Sequence, residues 1–240
     1  AKGLTLESPA VRNRIVNAAF QQTLKSKPAS LYQAGFAANI QVGNFEDNLS
    51  GISDADWIME VVVENLAIKK SIYERVEQFR QPGTLITSNT SGIPIHLMAE
   101  GRSADFQAHF CGTHFFNPAR YLQLFEIIPG PKTHPEVIDF LFDYGSKYLG
   151  KTSVIAKDTP AFIGNRIGIF GIMSLFHQVK ELGLSKCSSY HPNDMLQSFI
   201  ARTLSYSSAD SDRWNKCPTF QMERLANHVL KLSIILIVKG

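Results

Sequence analysis

What most constrains the fold is one buried run followed by an amphipathic helix and a second buried run. Ala55 to Glu64 (ADWIMEVVVE) is nearly continuous in apolar residues, the pattern of a strand covered on both faces. Leu66 to Phe79 then carries Ile68, Ile72, Val76 and Phe79 on one stripe, with Lys69, Lys70, Glu74 and Glu77 elsewhere, as an amphipathic helix does. Pro82-Gly83 stops that helix, and Thr84 to Ser88 (TLITS) reads as the next strand. A strand, helix and strand of these lengths form a βαβ unit, which requires a parallel sheet with helices packed on its faces.

Other segments extend the pattern. Ser8-Pro9 reads as a helix start, followed by Val11, Ile15, Ala18 and Ala19 at helical spacing. Ala38 to Phe45 predicts a weak strand, and further strands are expected at Ala108 to Phe116, Leu122 to Ile128 and Thr152 to Ala156. A helix is expected from Pro135 to Leu149, with Val137, Phe140, Leu141 and Tyr144 on one face. Asp158-Thr159-Pro160 repeats the cap-plus-proline start and predicts a long helix to about Leu182, apolar nearly all round and in need of a covering surface. The expected domain boundary is at Asp158, with one unit over 1–158 and a second over 159–240.

Composition narrows the function classes. The 240 residues carry 24 basic and 21 acidic side chains, and a net charge of +3 with no dense basic run gives no nucleic-acid footprint. Cys111, Cys187 and Cys217 are too few and too odd in number for a disulfide framework, which points to a reducing compartment. Cys187, His191, Cys217 and His228 have spacings that fit no common zinc pattern, so no metal site is expected. The late apolar run Ile234 to Val238 is far short of the roughly 20 residues of a membrane span. Residues 185–240 differ from the rest, with nine serines and one glycine, whereas residues 1–184 hold 15 of the 16 glycines and balanced charge.

Four clusters at strand ends or helix starts can carry chemistry, since open α/β sheets bind ligands there. Glu64-Asn65 closes the buried run, with Lys69 a turn later; a helix cap and a solvated lysine would look the same. Ser88-Asn89-Thr90-Ser91 follows a strand, and such a turn is often no more than a turn. His114-Phe115-Phe116-Asn117-Pro118 holds a histidine among aromatics, and Glu126 stands twelve residues later inside the apolar run LFEII. A glutamate there is costly unless paired, and a histidine with a carboxylate on one ring nitrogen is half of a general acid/base device. Asn165-Arg166 is a polar pair early in an apolar helix, and a buried amide there needs a partner.

In this order and spacing, VVVENLAIKK, SNTSGIPI, GTHFFNP, the glutamate of LFEII and KDTPAFIGNR resemble the 3-hydroxyacyl-CoA dehydrogenase family over about residues 38 to 184. The first fifty residues are similar to the long, multifunctional-type bacterial members. The resemblance implies a Rossmann-type, doubly wound α/β sheet followed by the start of an all-helical domain that dimerises. It implies oxidation of (3S)-3-hydroxyacyl-CoA to 3-oxoacyl-CoA with NAD, in fatty-acid β-oxidation and in the cytoplasm. His114 would take the hydroxyl proton, and Glu126 would orient its imidazole and support the charged form. Ser91 and Asn165 would hold substrate oxygens, Asn117 would sit near the nicotinamide, and Glu64 and Lys69, with Ser91, would line the cofactor cleft. An acyl-CoA substrate and a homodimer or multifunctional chain are the implied partners, with no nucleic acid and no membrane.

Two departures accompany the resemblance. No G-x-G-x-x-G occurs in the sequence; Gly164, Gly168 and Gly171 fall inside the helix the family uses for substrate. The expectation is therefore an N-terminally incomplete Rossmann sheet. The 240 residues alone should show no NAD binding and no turnover, because the amides that hold the diphosphate are missing. The competing expectation is a catalytically inactive remnant with a structural or interaction role. After Leu184 the family pattern gives way to SKCSSYHPNDMLQSF, and the role of residues 185–240 is unassigned.

Overall fold

A computed structural model describes residues 5, 8–181 and 234–238 of the chain. Cys187, His191, Cys217 and His228, where no metal site is expected, lie outside the described residues.

The chain opens with two helical pieces, α1 (Pro9–Arg12) and α2 (Arg14–Leu24). Proline does start the first, but the Ser8 side chain makes no capping bond and instead accepts from the Thr5 N–H. Where a weak strand was expected at 38–45, a 3₁₀ turn over Ala34–Asn39 is followed by irregular chain. That stretch has no strand partner among the described residues; Asn48 holds it instead, accepting from the Asn44 N–H with its side chain packed against Gly43.

The βαβ unit forms as β1 (Trp57–Val61), α3 (Leu66–Glu77) and β2 (Leu85–Ser88), paired in parallel from Trp57 opposite Leu85 to Glu60 opposite Ser88. Asn65 caps α3 by accepting from the Ile68 N–H. The buried face of α3 differs from the expected stripe. Lys69, Ile72, Tyr73 and Val76 point inward, while Ile68 and Phe79 are 44% and 39% exposed. The face is turned by one residue because a buried carboxylate, Glu60, draws Lys69 and Tyr73 beneath the sheet.

Two short helices, α4 (Ile95–Ala99) and α5 (Ala104–Ala108), lead to β3 (Phe110–Phe115) and β4 (Leu124–Pro129). Next come α6 (Pro135–Lys147), β5 (Thr152–Ile155) and α7 (Gly164–Glu181). The last strand is β6 (Ile234–Val238). Among the described residues the sheet has six strands in the order β5-β4-β3-β2-β1-β6. β1, β2 and β3 run together; β4 runs against β3 with β5 parallel to it, and β6 runs against β1. The sheet is therefore mixed, with its parallel part at β1–β3.

Helices cover both faces, as in a doubly wound fold. One core joins Ile58, Ile72, Tyr73, Ile86, Ile95, Met98, Phe106 and Phe110. The other places Leu141, Val137 and Tyr144 of α6 against Trp57, Met59, Cys111 and Phe125. Gly145 allows α6 this close, since a Cβ there would come within 2.8 Å of the Phe125 ring.

The long helix begins at Gly164, later than the proline start suggested. Asp158 caps α4 instead, accepting from the Ile95 and His96 N–H groups at 2.7 and 2.9 Å. Ala161 and Phe162 are left-handed, with φ of 64° and 45°, so the chain turns once more before the helix. Ile167, Ile169, Phe170 and Met173 on α7 are exposed. No helix among the described residues is long and apolar enough to cross a membrane.

Candidate active site

The carboxyl ends of β1, β2 and β3 lie side by side, and they deliver Glu64, Ser88–Ser91 and His114–Asn117 to one end of the sheet. β4 runs the other way, so its first residues arrive at the same end.

His114 and Glu126 are direct cross-strand partners in the β3–β4 register. Nδ1 of His114 lies 2.6 Å from Oε2 of Glu126. An ionised carboxylate only accepts, so Nδ1 donates and Nε2 of the neutral ring keeps its lone pair. His114 is 3% exposed, and its ring sits 4.5 Å from that of Phe116 and 5.7 Å from that of Phe162. Oε1 of Glu126 accepts from the Ile163 and Gly164 N–H groups at 3.0 and 2.7 Å, so both oxygens are engaged and the carboxylate cannot swing.

The start of α7 is built to reach that carboxylate. The left-handed turn at Ala161 and Phe162, a conformation that costs non-glycine residues about 1–3 kcal/mol each, aims successive N–H groups at Glu126. Gly164 is required there, because a Cβ would stand 2.6 Å from Cζ of Phe116.

Burial pushes the Glu126 carboxyl up, but the His114 hydrogen bond, the Gly164 and Ile163 N–H groups and the His114 charge together hold it below its ordinary value of 4.5. A carboxyl depressed in the folded state adds stability above its unfolded value, and that stability disappears as pH falls through the folded value. Urea midpoints are thus expected to be steady above pH 4.5 and to fall below it. Glu126→Gln should flatten part of that fall, whereas identical acid profiles for variant and parent would refute the assignment.

On the other side of the cleft, Glu64 Oε1 accepts from the Thr90 hydroxyl at 2.5 Å and from the Ser91 and Gly92 N–H groups at 3.0 and 3.2 Å. Burial raises the Glu64 carboxyl, and the Thr90 bond, the Lys69 charge and the Ser91 N–H outweigh it and lower it. The Asn165 side-chain amide donates to the Ser91 carbonyl at 3.2 Å, joining α7 to the turn after β2. Ser91 and Asn117 are exposed, and Asn165 is half-buried. His114, Glu126, Ser91, Asn165 and Glu64 thus belong to one bonded arrangement, with Asn117 three residues past His114 at its rim.

Lys69 lies deeper than its helical position suggested. Its ammonium is buried on both oxygens of Glu60 at 2.8 and 3.0 Å, and 3.4 Å from Oε2 of Glu64. Glu60, Tyr73 and Ser88 form a polar centre that the sequence reading passed over. Glu60 sits inside WIMEVVV, where an unpaired carboxylate is as costly as in LFEII, and a lysine nine residues on was the available signal.

The chain matches the family model "3-hydroxyacyl-CoA dehydrogenase, NAD binding domain" over residues 7–159. It is 50% identical over 182 residues to a probable 3-hydroxyacyl-CoA dehydrogenase of Bacillus subtilis, covering 76% of this chain and 23% of that one. It is 43% identical over 174 residues to a protein of the same description from Deinococcus radiodurans, covering 72% of this chain and 50% of that one. The chain therefore spans between about a quarter and a half of the length of these curated relatives. The crystal structure of (S)-3-hydroxybutyryl-CoA dehydrogenase from Ralstonia eutropha superposes with a TM-score of 0.60 at 23% identity, covering 92% of this chain and 83% of that one, a likeness of fold.

Proposed function

The chain belongs to the 3-hydroxyacyl-CoA dehydrogenase family, whose NAD-binding domain its residues 7–159 match, and from that premise we propose that it oxidises (3S)-3-hydroxyacyl-CoA to 3-oxoacyl-CoA with NAD. The reading includes a place in fatty-acid β-oxidation, a cytoplasmic location and work as a homodimer or within a multifunctional chain. What carries it is the His114–Glu126 pair, a buried imidazole whose Nδ1 is committed to a fixed carboxylate and whose Nε2 remains able to take a proton.

The donor set at the strand ends suits the nicotinamide end of the cofactor. Glu64, Ser91 and Asn117 offer a carboxylate, a hydroxyl and an amide to ribose hydroxyls or a carboxamide, and Lys69 supports Glu64 from beneath. When bound, NAD supplies the acceptor for the hydride that leaves C3. His114 Nε2 takes the proton from the 3-hydroxyl as the C–H bond breaks, and the new C=O keeps the O–H electron pair. Glu126 holds the imidazole in the donating tautomer and faces the imidazolium formed. Ser91 and Asn165 hold the substrate oxygens, so the reacting carbon is oriented before the proton moves.

A second reading, a catalytically inactive remnant with a structural or interaction role, is favoured by one observation: the β1 edge is paired with antiparallel β6. Turnover of 3-hydroxyacyl-CoA by the chain extended with a dinucleotide-binding strand and glycine turn, followed by the absorbance of reduced nicotinamide, separates the two. A dehydrogenase is expected to give a rate that rises with NAD and saturates. No rate from the extended chain at any NAD concentration selects the remnant.

A further inference from the structure

We propose that Glu60 is a positioning residue, which fixes the turn carrying Ser91 from inside the core. The proposal rests on the dehydrogenase reading for what that turn does.

Glu60 is 1% exposed in the middle of β1, and its carboxylate is surrounded by donors. Oε1 accepts from the Val62 N–H at 2.5 Å and Lys69 at 2.8 Å. Oε2 accepts from Lys69 at 3.0 Å, the Tyr73 hydroxyl at 2.8 Å and the Ser88 hydroxyl at 2.6 Å. Stability alone does not call for such a centre, since well-packed apolar residues of similar volume are often as stable as a buried ion pair.

What the centre adds is direction toward the turn. Ser88 Oγ, having donated to Glu60, accepts from the Thr90 N–H at 3.2 Å. The Glu60 carbonyl accepts from the Asn89 N–H at 2.8 Å. Lys69 spans from Glu60 to Glu64, and Glu64 holds the Thr90 hydroxyl and the Ser91 and Gly92 N–H groups. Two routes thus run from Glu60 to the turn, one through Ser88 and one through Lys69 and Glu64. The first ends on the Thr90 N–H and the second on the Thr90 hydroxyl and the Ser91 and Gly92 N–H groups, and the Ser91 carbonyl also receives the Asn165 amide of α7. With Ser91 exposed, these routes, together with the Asn165 amide and the bond from the Phe115 N–H to the Asn89 side chain, set where its hydroxyl stands relative to His114.

Amide hydrogen exchange on the substrate-free chain tests the proposal, because it reads the turn without depending on catalysis. Ser88→Ala cuts the first route and leaves the Glu60–Lys69 pair in place. The Thr90, Ser91 and Gly92 amides are expected to exchange roughly tenfold faster, while the β4 amides keep their rates. Tyr73→Phe removes a comparable donor from Glu60 that does not touch the turn, and should leave those three amides unchanged. Glu60→Gln weakens both routes and should loosen the turn at least as much as Ser88→Ala. Unchanged exchange at the turn in Ser88→Ala and Glu60→Gln would overturn the proposal, as would faster exchange spread equally over β4.

Kinetics then read the consequence. Ser88→Ala should raise KM for 3-hydroxyacyl-CoA more than it lowers kcat, as expected for a loosened binding group. A fall in kcat with KM unmoved would count against the proposal. If the parent extended with a dinucleotide-binding strand and glycine turn shows no turnover at all, the dehydrogenase reading fails, and the exchange rates still decide whether Glu60 governs the turn.

Discussion

Replacing His114 with alanine, in a chain that carries the dinucleotide-binding strand and glycine turn, is expected to slow oxidation of 3-hydroxyacyl-CoA by roughly 100- to 10,000-fold, the usual worth of a positioned acid/base group. NAD affinity should stay nearly unchanged, since His114 is 3% exposed and its bonded nitrogen is occupied by Glu126. Glu126→Gln should lose less, because an amide oxygen can still accept from Nδ1 but carries no charge to face an imidazolium. Steady-state rates with NAD titrated separately distinguish the two effects. An alanine variant that turns over near the parent's rate would remove His114 from the chemistry.

The second large effect concerns stability. Lys69→Met is expected to lower the unfolding free energy by about 3–5 kcal/mol, the cost of leaving one member of a buried ion pair without its partner. Lys69 and Glu60 are each 1% exposed, so water cannot take over from the missing ammonium. Adding Glu60→Gln to Lys69→Met removes the stranded charge and should recover part of the loss. Urea unfolding of the two variants checks this. A single variant as stable as the parent, or a double variant less stable than the single by the full cost of Glu60→Gln alone, would show that the pair is not energetically coupled.

The contrast between the two buried glutamates shows how much of the site was legible in the sequence. In LFEII, a carboxylate inside an apolar run pointed outward to the nearest histidine, and the β3–β4 register places the two opposite each other. The same reasoning applies to Glu60 in WIMEVVV. There the partner was hidden, because the helix stripe drawn through Ile68 put Lys69 on the solvated side. A lysine can lie on a buried face when its methylenes pack and its ammonium meets a carboxylate, and hydropathy cannot register that.

Other parts had no local signal. Asp158-Thr159-Pro160 has the form of a helix start, yet Asp158 serves the N–H groups of Ile95 and His96 across the fold. The left-handed backbone at Ala161 and Phe162 is carried by residues that do not favour it, and is sustained by Glu126 and the burial of Phe162. The βαβ unit around Trp57–Ser88 was legible because its pattern is local and its pairing parallel.

The antiparallel strand beside β1 gives the chain a timing problem. Trp57 pairs with Val238 and Val61 with Ile234, so the strand that covers this edge is synthesised long after the edge itself. Parallel pairing of β1 with β2 is available well before that. Bringing such distant segments together also carries a loop-closure cost that local pairs avoid, which slows the last addition to the sheet. Ile234–Val238 is therefore expected to be the last of these strands to join, in synthesis and in refolding alike.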